Sequence, residues 1–210
     1  MQITATGLSK RFAREWIFRG LTHTFEPGTA TAILGPNGAG KSTLLNTLSG
    51  QILPTQGTVQ YAEGGRAVAV EDVPMRLAYA APYLELIEEL SLTELIRFHT
   101  RFKPLRPGIT AAQLIGLMYL EKSRHKLIRD FSSGMKQRLK LALALYADAP
   151  LLLLDEPTTN LDRTGVAWYR EHVAATLAGR TVLVSSNVPE EYDFCTAQLL
   201  ITDFGAQAAR

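Results

Sequence analysis

The segment Gly35-Pro36-Asn37-Gly38-Ala39-Gly40-Lys41-Ser42 decides the fold, because it has the pattern G-x-x-x-x-G-K-[ST]. Glycine adopts left-handed backbone angles at little cost, so consecutive N–H groups of such a loop can converge on phosphate oxygens. Residues 29–34, just before the loop, are apolar and β-branched, which predicts a buried strand. Residues 41–48 predict a helix whose positive N-terminal end adds to the anion site. Strand, loop and helix in this order predict a site for nucleotide phosphates.

The loop also supplies the side chains that such a site needs. Lys41 is expected to neutralise the β- and γ-phosphates, and Ser42 is expected to place its hydroxyl on Mg²⁺. A glycine-rich turn with an exposed lysine is the alternative, but it leaves the flanking strand and helix unexplained. The predicted binding residues here are Gly35, Pro36, Asn37, Gly38, Ala39, Gly40, Lys41, Ser42 and Thr43.

A second motif, Leu151-Leu152-Leu153-Leu154-Asp155-Glu156-Pro157, ends an apolar run on two carboxylates. The carboxyl ends of parallel strands meet at the edge of the sheet where ligands of α/β proteins bind. Asp155 is therefore predicted to bind Mg²⁺, and Glu156 to polarise a water in line with the γ-phosphate. Two acidic residues that cap a helix are the alternative, which the phosphate loop makes the weaker one.

Composition narrows the class of protein. The chain has 210 residues, of which 46% are hydrophobic and 20% charged, as in a single globular α/β domain. Lys and Arg exceed Asp and Glu by 22 − 20 = 2, so no nucleic-acid partner is expected. The N-terminal segment lacks the features of a signal peptide, and Lys140, Asp148 and Pro150 interrupt the longest apolar region. Cys195 is the only cysteine, which excludes an internal disulfide.

Periodicity predicts strands that alternate with helices, and hence a mostly parallel sheet covered on both faces. Ser91 or Thr93 is predicted to cap a helix at 93–101, and Thr110 is predicted to cap a helix at 111–120. Further strands are predicted at 57–62, 66–71, 151–154, 181–185 and 198–202, and helices at 93–101, 111–120, 134–147 and 163–178.

Phe131-Ser132-Ser133-Gly134-Met135-Lys136-Gln137-Arg138 resembles the signature motif of ATP-binding cassette (ABC) ATPases, commonly Leu-Ser-Gly-Gly-Gln. Thr158-Thr159-Asn160-Leu161-Asp162 is similar to the D-loop of that family. Motif order and spacing agree from Gly7 to about Thr202. The resemblance implies a P-loop NTPase fold, α/β with a mostly parallel sheet, an N-terminal antiparallel β part and a helical subdomain insertion. It implies one ABC ATPase domain over 1–210, with a core at about 1–84 and 131–210 and a helical subdomain at about 85–130.

The resemblance also assigns a second phosphate contact. Ser132, Ser133 and Gly134 form a polar turn at a predicted helix N-terminus, which can bind an anion. In the family this turn, with the D-loop residue here represented by Asp162, completes the ATP site of a second subunit in a head-to-tail dimer. An ordinary serine helix cap is the alternative. For adenine, the family stacks an aromatic ring near the N-terminus; Phe12 matches that position best, Trp16 competes, and either ring could belong to the core.

Two positions depart from the family pattern. Tyr83 stands where the family has a glutamine that contacts Mg²⁺ or the attacking water, and Asn187 stands where the family has a switch histidine. Asparagine can bond a γ-phosphate but cannot take a proton near neutral pH. With Lys41 and Glu156 present, hydrolysis is expected to persist, with Asn187 as the third catalytic residue, but to run slowly or to depend more on the partner.

The resemblance implies an ATP-hydrolysing subunit that uses ATP and Mg²⁺, pairs with a second such subunit, in a homodimer, and drives transmembrane permease subunits through the groove at 83–89. The protein is then expected in the cytoplasm, held at the inner face of the membrane by these partners; its cargo is open, a haem-export-like role included. A regulatory cassette with little hydrolysis and a soluble ABC ATPase outside transport remain alternatives. A P-loop kinase or GTPase is disfavoured because the chain has the signature turn and lacks an Asn-Lys-x-Asp segment.

Overall fold

The computed structural model describes residues 1–205, which form two β-sheets and a set of helices. The strands are Gln2–Phe12 (β1), Glu15–Phe25 (β2), Ala30–Leu34 (β3), Gln56–Glu63 (β4), Arg66–Val68 (β5), Leu77–Ala80 (β6), Leu151–Asp155 (β7), Thr181–Ser185 (β8) and Ala197–Leu200 (β9). The α-helices are Lys41–Leu48 (α1), Val73–Arg76 (α2), Leu92–His99 (α3), Ala111–Leu117 (α4), Ser133–Leu145 (α5) and Arg163–Thr176 (α6).

The central sheet is parallel and has the strand order β6-β7-β8-β3-β9. β7 and β8 are buried along their whole length, as expected for strands with apolar runs at 151–154 and 182–184. Ser185 pairs with Asp155 on one side and with Ile33 on the other. The end of β7 and the loop that follows β3 therefore lie at the same edge of the sheet.

Alternate residues of β7 face two separate apolar clusters. Leu151 and Leu153 pack in the cluster that contains the buried leucines of α1. Leu152 and Leu154 pack in the cluster that contains the buried face of α5. Asp155 follows Leu153 by two residues, so it lies on the α1 side of the sheet, beneath the helix that begins at the glycine loop.

The second sheet is antiparallel and has the order β2-β1-β4-β5. The pairing of β1 with β2 is irregular between Ala5 and Leu8 and again around Lys10, which indicates bulges. The predicted N-terminal antiparallel part is confirmed. β1 and β2 themselves were not predicted, because these bulges break the alternation of apolar and polar residues along both strands.

α3 and α4 lie between β6 and α5, where the helical insertion was predicted. Each begins with a capping box: Ser91 and Glu94 satisfy each other's backbone N–H groups at α3, and Thr110 and Gln113 do so at α4. Ser91, and not Thr93, is thus the cap of α3. The boundaries of an insertion at about 85–130 remain a prediction, and residues 206–210 of the predicted core lie outside the described residues.

Several element boundaries were predicted well and others were not. α1 and β8 have the predicted bounds, whereas α3, α4, α5 and α6 end two or three residues early. The strand predicted at 66–71 stops at Val68 and is followed by a short 3₁₀ turn. β6 was not predicted, because four residues that follow Pro74 closely give too little pattern. Within residues 1–205, no helix is both long and apolar enough to cross a membrane.

Candidate functional site

The glycine loop has the backbone that its sequence predicts. Gly35, Gly38 and Gly40 have φ of 151°, 79° and 98°, in the left-handed half of conformational space. A Cβ atom at Gly40 would lie 2.2 Å from Cγ2 of Ile17, and one at Gly35 would lie 2.7 Å from Cγ2 of Ile201. Both positions therefore require glycine for space as well as for backbone angle.

Lys41 opens α1 directly behind the loop. Its side chain is 5% exposed, and Nζ donates to the carbonyl oxygens of Gly35 at 2.7 Å and Pro36 at 3.2 Å. An ammonium group has three hydrogens, so one remains available to a ligand in the loop. No side chain caps the N-terminus of α1, and the first N–H groups of a helix lack intrahelical acceptors. The N–H groups of Lys41, Ser42 and Thr43 are therefore free of a side-chain cap and could bind an anion.

Asp155 carries an open oxygen at the edge of the sheet. The residue is 1% exposed; Oδ2 accepts from the Tyr83 hydroxyl at 3.2 Å, whereas Oδ1 has no hydrogen-bond partner within residues 1–205. Oγ of Ser185, beside it in the sheet, likewise has no partner there. Buried polar atoms are rarely left unsatisfied, so these two mark a place for a ligand.

The chemistry of this place fits Mg²⁺. The donors near the sheet edge, Ser42 and Asp155, are hard oxygen ligands, which Mg²⁺ prefers. No group of three or more His, Cys, Asp and Glu side chains converges anywhere in the described part of the chain. Mg²⁺ suits such a site, because it is commonly held by one or two protein ligands together with substrate phosphates.

Glu156 has an unusual backbone. Its φ is 42°, a value that costs a non-glycine residue free energy and that is concentrated at functional sites. Its N–H donates to the carbonyl of Ser185 at 2.8 Å, which ties the turn to β8. The side chain lines a cleft of about 280 Å³ together with Asn37 and Asn187.

Asn187 reaches across this cleft to the glycine loop. Its Nδ2 donates to Oδ1 of Asn37 at 2.8 Å. Asn187, predicted to stand in place of the family's histidine, therefore lies beside the glycine loop, and its amide donates a hydrogen bond of the kind that it could make to a phosphate oxygen.

The predicted signature turn lies elsewhere on the surface. Ser132 and Ser133 are exposed, and Oγ of Ser132 accepts from the N–H of Met135 at 3.2 Å as the cap of α5. A Cβ atom at Gly134 would lie 3.2 Å from the carbonyl oxygen of Asn160, so this turn packs against the D-loop. None of its residues lines the cleft that contains Glu156.

The remaining predicted residues have clear local contacts. Phe12, at the end of β1, is 47% exposed, and Nζ of Lys10 lies 4.8 Å from its ring centroid. Trp16 has the guanidinium groups of Arg11 and Arg19 at 5.2 and 4.8 Å, so cations already occupy its surroundings. Oδ1 of Asp162 accepts from the N–H of Gly165 at 2.8 Å, which makes Asp162 the cap of α6.

Two residues of the site were missed from sequence. Tyr79 contacts Tyr83 through its hydroxyl, at 2.5 Å between oxygens. Glu191 is 2% exposed, and its carboxylate accepts from Thr158, after Glu156, and from Ser186, before Asn187. The sequence offered one sign of Glu191, namely an acidic residue four positions after Asn187. It offered none for Tyr79, which lies in β6, a strand that was not predicted.

The family model for ABC transporters matches residues 18–159, more than half of the chain. The chain belongs to the ABC transporter family. Nod factor export ATP-binding protein I of Ralstonia nicotianae is 29% identical over 99% of the chain, and daunorubicin resistance ATP-binding protein DrrA3 of Streptomyces coeruleorubidus is 32% identical over 97%. The chain spans 66% of the length of each of these two proteins.

Solved structures agree with this ABC fold. The ATP-binding subunit of an ABC transporter, 26% identical, superposes with a TM-score of 0.78 over 95% of this chain and 85% of that one. A dimeric post-hydrolysis structure of the ATP-binding cassette MJ0796 with ADP and Pi, 20% identical, has a TM-score of 0.81 over 94% and 93%. The fold is thus that of ABC ATPases, as the sequence predicted.

Proposed function

We propose that this ABC protein is the ATP-binding and ATP-hydrolysing subunit of a transporter. One observation carries the proposal: the glycine loop with Lys41, the open oxygen of Asp155 and the strained Glu156 lie at one edge of the parallel sheet. Together they offer what phosphoryl transfer from a nucleoside triphosphate needs, namely anion binding, a metal ligand and a base.

Each residue has a distinct task in this proposal. The N–H groups of the loop and the third hydrogen of Lys41 bind the phosphates. Ser42 and Asp155 would hold Mg²⁺, which supplies neutralising charge when bound. Glu156 orients a water and accepts its proton, while the amide of Asn187 holds the γ-phosphate.

A second copy of the chain completes the site. The exposed turn at Ser132–Gly134 offers a helix N-terminus to an anion, yet it lines no part of the cleft around Glu156. In a head-to-tail dimer this turn would reach the ATP on the partner's phosphate loop. The dimeric MJ0796 structure, which has the same fold, supports this arrangement.

The dimer would act on membrane subunits of the transporter. A groove of about 660 Å³ runs past Tyr83, Glu85 and Glu88 to Lys136 and Lys140 of α5. Tyr83 lines this groove and also bonds Asp155, the proposed ligand of Mg²⁺. A permease bound in the groove would therefore respond to the nucleotide. Both curated relatives named above are ATP-binding proteins of export or resistance systems, which supports a location at the cytoplasmic face of a membrane.

Phosphate release from ATP tests the proposal. Glu156→Gln should retain ATP binding and lose about 10²-fold or more of the release rate, since general bases contribute about 10²–10⁴-fold. Lys41→Ala should lose ATP binding, whereas Lys122→Ala, an exposed lysine, should change neither quantity. Equal, near-background release by wild type and Glu156→Gln would favour the regulatory cassette, and unchanged ATP binding by Lys41→Ala would overturn the site.

The rate of release tests the finer proposal that Asn187 slows turnover. Asn187 can donate to a phosphate but cannot carry a proton at neutral pH, as histidine can. Asn187→His should therefore raise the rate several-fold at constant ATP affinity. A wild-type rate that the histidine leaves unchanged or lowers would contradict it.

A further inference from the structure

The hydroxyl of Tyr83 is the meeting point of three polar groups. Its oxygen lies 2.5 Å from the hydroxyl of Tyr79, 3.2 Å from Oδ2 of Asp155 and 3.3 Å from Nδ2 of Asn46. Tyr83 is 50% exposed at the groove described above, whereas Asp155 is buried. The hydroxyl therefore connects the groove to the carboxylate at the phosphate edge of the sheet.

The fold dictates this meeting. Tyr79 pairs with Leu153 across β6 and β7 and packs in the same cluster as α1. Because side chains alternate along a strand, Asp155 lies on that face too. Asn46 comes from α1, the helix that the phosphate loop begins.

Counting hydrogens sets the direction of the bonds. Tyr83 has one hydroxyl hydrogen, and the charged carboxylate of Asp155 is its strongest acceptor. The short contact between the two tyrosines then requires Tyr79 to donate to Tyr83, because two lone pairs would otherwise face each other. Nδ2 of Asn46 donates to Tyr83 as well. The chain of donation runs from Tyr79 to Tyr83 to Asp155.

Both tyrosines hold their hydrogens at neutral pH. Burial, donation to Tyr83 and the charge of Asp155 raise the pKa of Tyr79 far above its ordinary value. Burial is also the main cause that raises the pKa of Tyr83. The hydroxyls of Tyr79 and Tyr83 therefore remain hydrogen-bond donors over the pH range in which proteins are active.

We propose that Tyr79 is a positioning residue that acts through Tyr83. It holds the Tyr83 hydrogen on Oδ2 of Asp155, so that Oδ1 remains the oxygen open to Mg²⁺. The inference rests on the proposed function of the site as a Mg²⁺–ATP site. It assigns the task of the family's glutamine to a pair of hydroxyls in this chain. Partners of this kind, one step behind a metal ligand, contribute about 10–100-fold to metal affinity.

The test measures how much Mg²⁺ strengthens nucleotide binding. Calorimetric titration with AMP-PNP, a non-hydrolysable ATP analogue, is carried out with excess Mg²⁺ and with EDTA, and the ratio of the two dissociation constants gives the Mg²⁺-linked gain. The variants are Tyr79→Phe, Tyr83→Phe and the double variant. Tyr61→Phe is the matched control, because Tyr61 is buried and, among residues 1–205, its hydroxyl bonds only the carbonyl of Leu48.

If Tyr79 acts through Tyr83, the losses of Mg²⁺-linked gain in the two single variants should not add up in the double variant. Tyr83→Phe should lower the gain about tenfold and Tyr79→Phe by a smaller factor, with binding in EDTA unchanged. The double variant should equal Tyr83→Phe, because among the described residues Tyr79 reaches Asp155 through the hydroxyl of Tyr83 and makes no hydrogen bond to Asp155 itself. Tyr61→Phe should match wild type, and Tyr83→Gln should restore the gain and make it insensitive to Tyr79→Phe.

Three outcomes would overturn the inference. An unchanged gain in Tyr83→Phe removes the link to the metal while leaving the proposed function standing. Additive losses in the double variant show that Tyr79 does not act through Tyr83. A wild type that binds no AMP-PNP under either condition would overturn the proposed function and the inference together.

Discussion

Two glycines of the phosphate loop, two residues apart, differ in what a methyl group would meet. Gly38 has φ of 79° and open space around its missing side chain, whereas Gly40 has φ of 98° and Ile17 in the way. A left-handed backbone costs an alanine about 1–2 kcal/mol, and overpacking adds about 1–3 kcal/mol. Gly40 therefore carries two constraints where Gly38 carries one.

The first prediction compares alanine at these two positions. Gly38→Ala should lower the free energy of unfolding by about 1–2 kcal/mol, and Gly40→Ala should lower it by about 1–3 kcal/mol more. Denaturant unfolding monitored by circular dichroism measures both. Equal losses in the two variants would show that the contact with Ile17 relaxes without cost.

Sequence patterns predicted the residues whose role depends on local spacing. Lys41 follows from the glycine pattern, and Asp155 from its place after four leucines. Tyr79 and Glu191 could not be predicted in this way, because each serves a residue far away in the sequence: Tyr79 reaches Asp155 through Tyr83, and Glu191 bonds Thr158. What places them is strand pairing between β6 and β7 and the packing of the turn after β8.

At the scale of elements, one buried carboxylate joins the turn after β7 to the turn after β8. Oε1 of Glu191 accepts from the N–H of Thr158 at 2.7 Å and from its hydroxyl, and Oε2 accepts from the hydroxyl of Ser186. These contacts flank Glu156 and Asn187 in the sequence. Glu191 therefore fixes the two sides of the cleft relative to each other.

The second prediction concerns this connection. Glu191→Ala should destabilise the fold by roughly 2–4 kcal/mol, since hydrogen bonds to a charged group contribute about 1.5–3 kcal/mol and the freed hydroxyl of Ser186 stays buried. It should also slow phosphate release, because the cleft loses its fixed width. Unfolding curves and release assays measure the two effects.

Glu190→Ala is the matched control, because the neighbouring glutamate is exposed. Its effect on stability should stay within about 0.5 kcal/mol. If Glu191→Ala were as mild as this control, the carboxylate would not hold the two turns together.

Elements with uniform burial were the easiest to predict. β8 is buried along all five residues around an apolar centre at 182–184, and the phosphate loop sets the start of α1, so both were predicted with their observed bounds. β1 and β2 escaped prediction because bulges shift their register, and a pairing partner far along the chain, β4, completes their sheet. α4 and α5 end before their predicted ends because buried apolar residues (Met118 and Leu120, Tyr146 and Ala147) continue the pattern past the last turn.

At the scale of the whole molecule, the two features proposed to bind phosphate lie at different places on one chain. The glycine loop joins Glu156 and Asn187 at one cleft, while the serine turn at Ser132–Gly134 is exposed and lines no part of it. Under the proposed function, the turn therefore serves a nucleotide bound to another copy of the chain. Two copies related head to tail can bring them together on each nucleotide.

The third prediction follows from this geometry. A variant with a disrupted turn at Ser132–Gly134 should bind ATP and yet remain a monomer. Gly134→Asp adds a negative charge beside the anion site and crowds the carbonyl of Asn160, which lies 3.2 Å from a Cβ atom there. In the Glu156→Gln background it should still bind ATP through its own loop but should not dimerise. Dimerisation that survives Gly134→Asp would exclude the turn from the interface.

The mass of Glu156→Gln in solution, measured by light scattering with and without Mg²⁺ and ATP, tests the central claim most directly. The account predicts a monomer near 23.1 kDa without nucleotide or with ADP, and a doubling of that mass with ATP. A variant that binds ATP and yet keeps the monomer mass at every ATP concentration would contradict it.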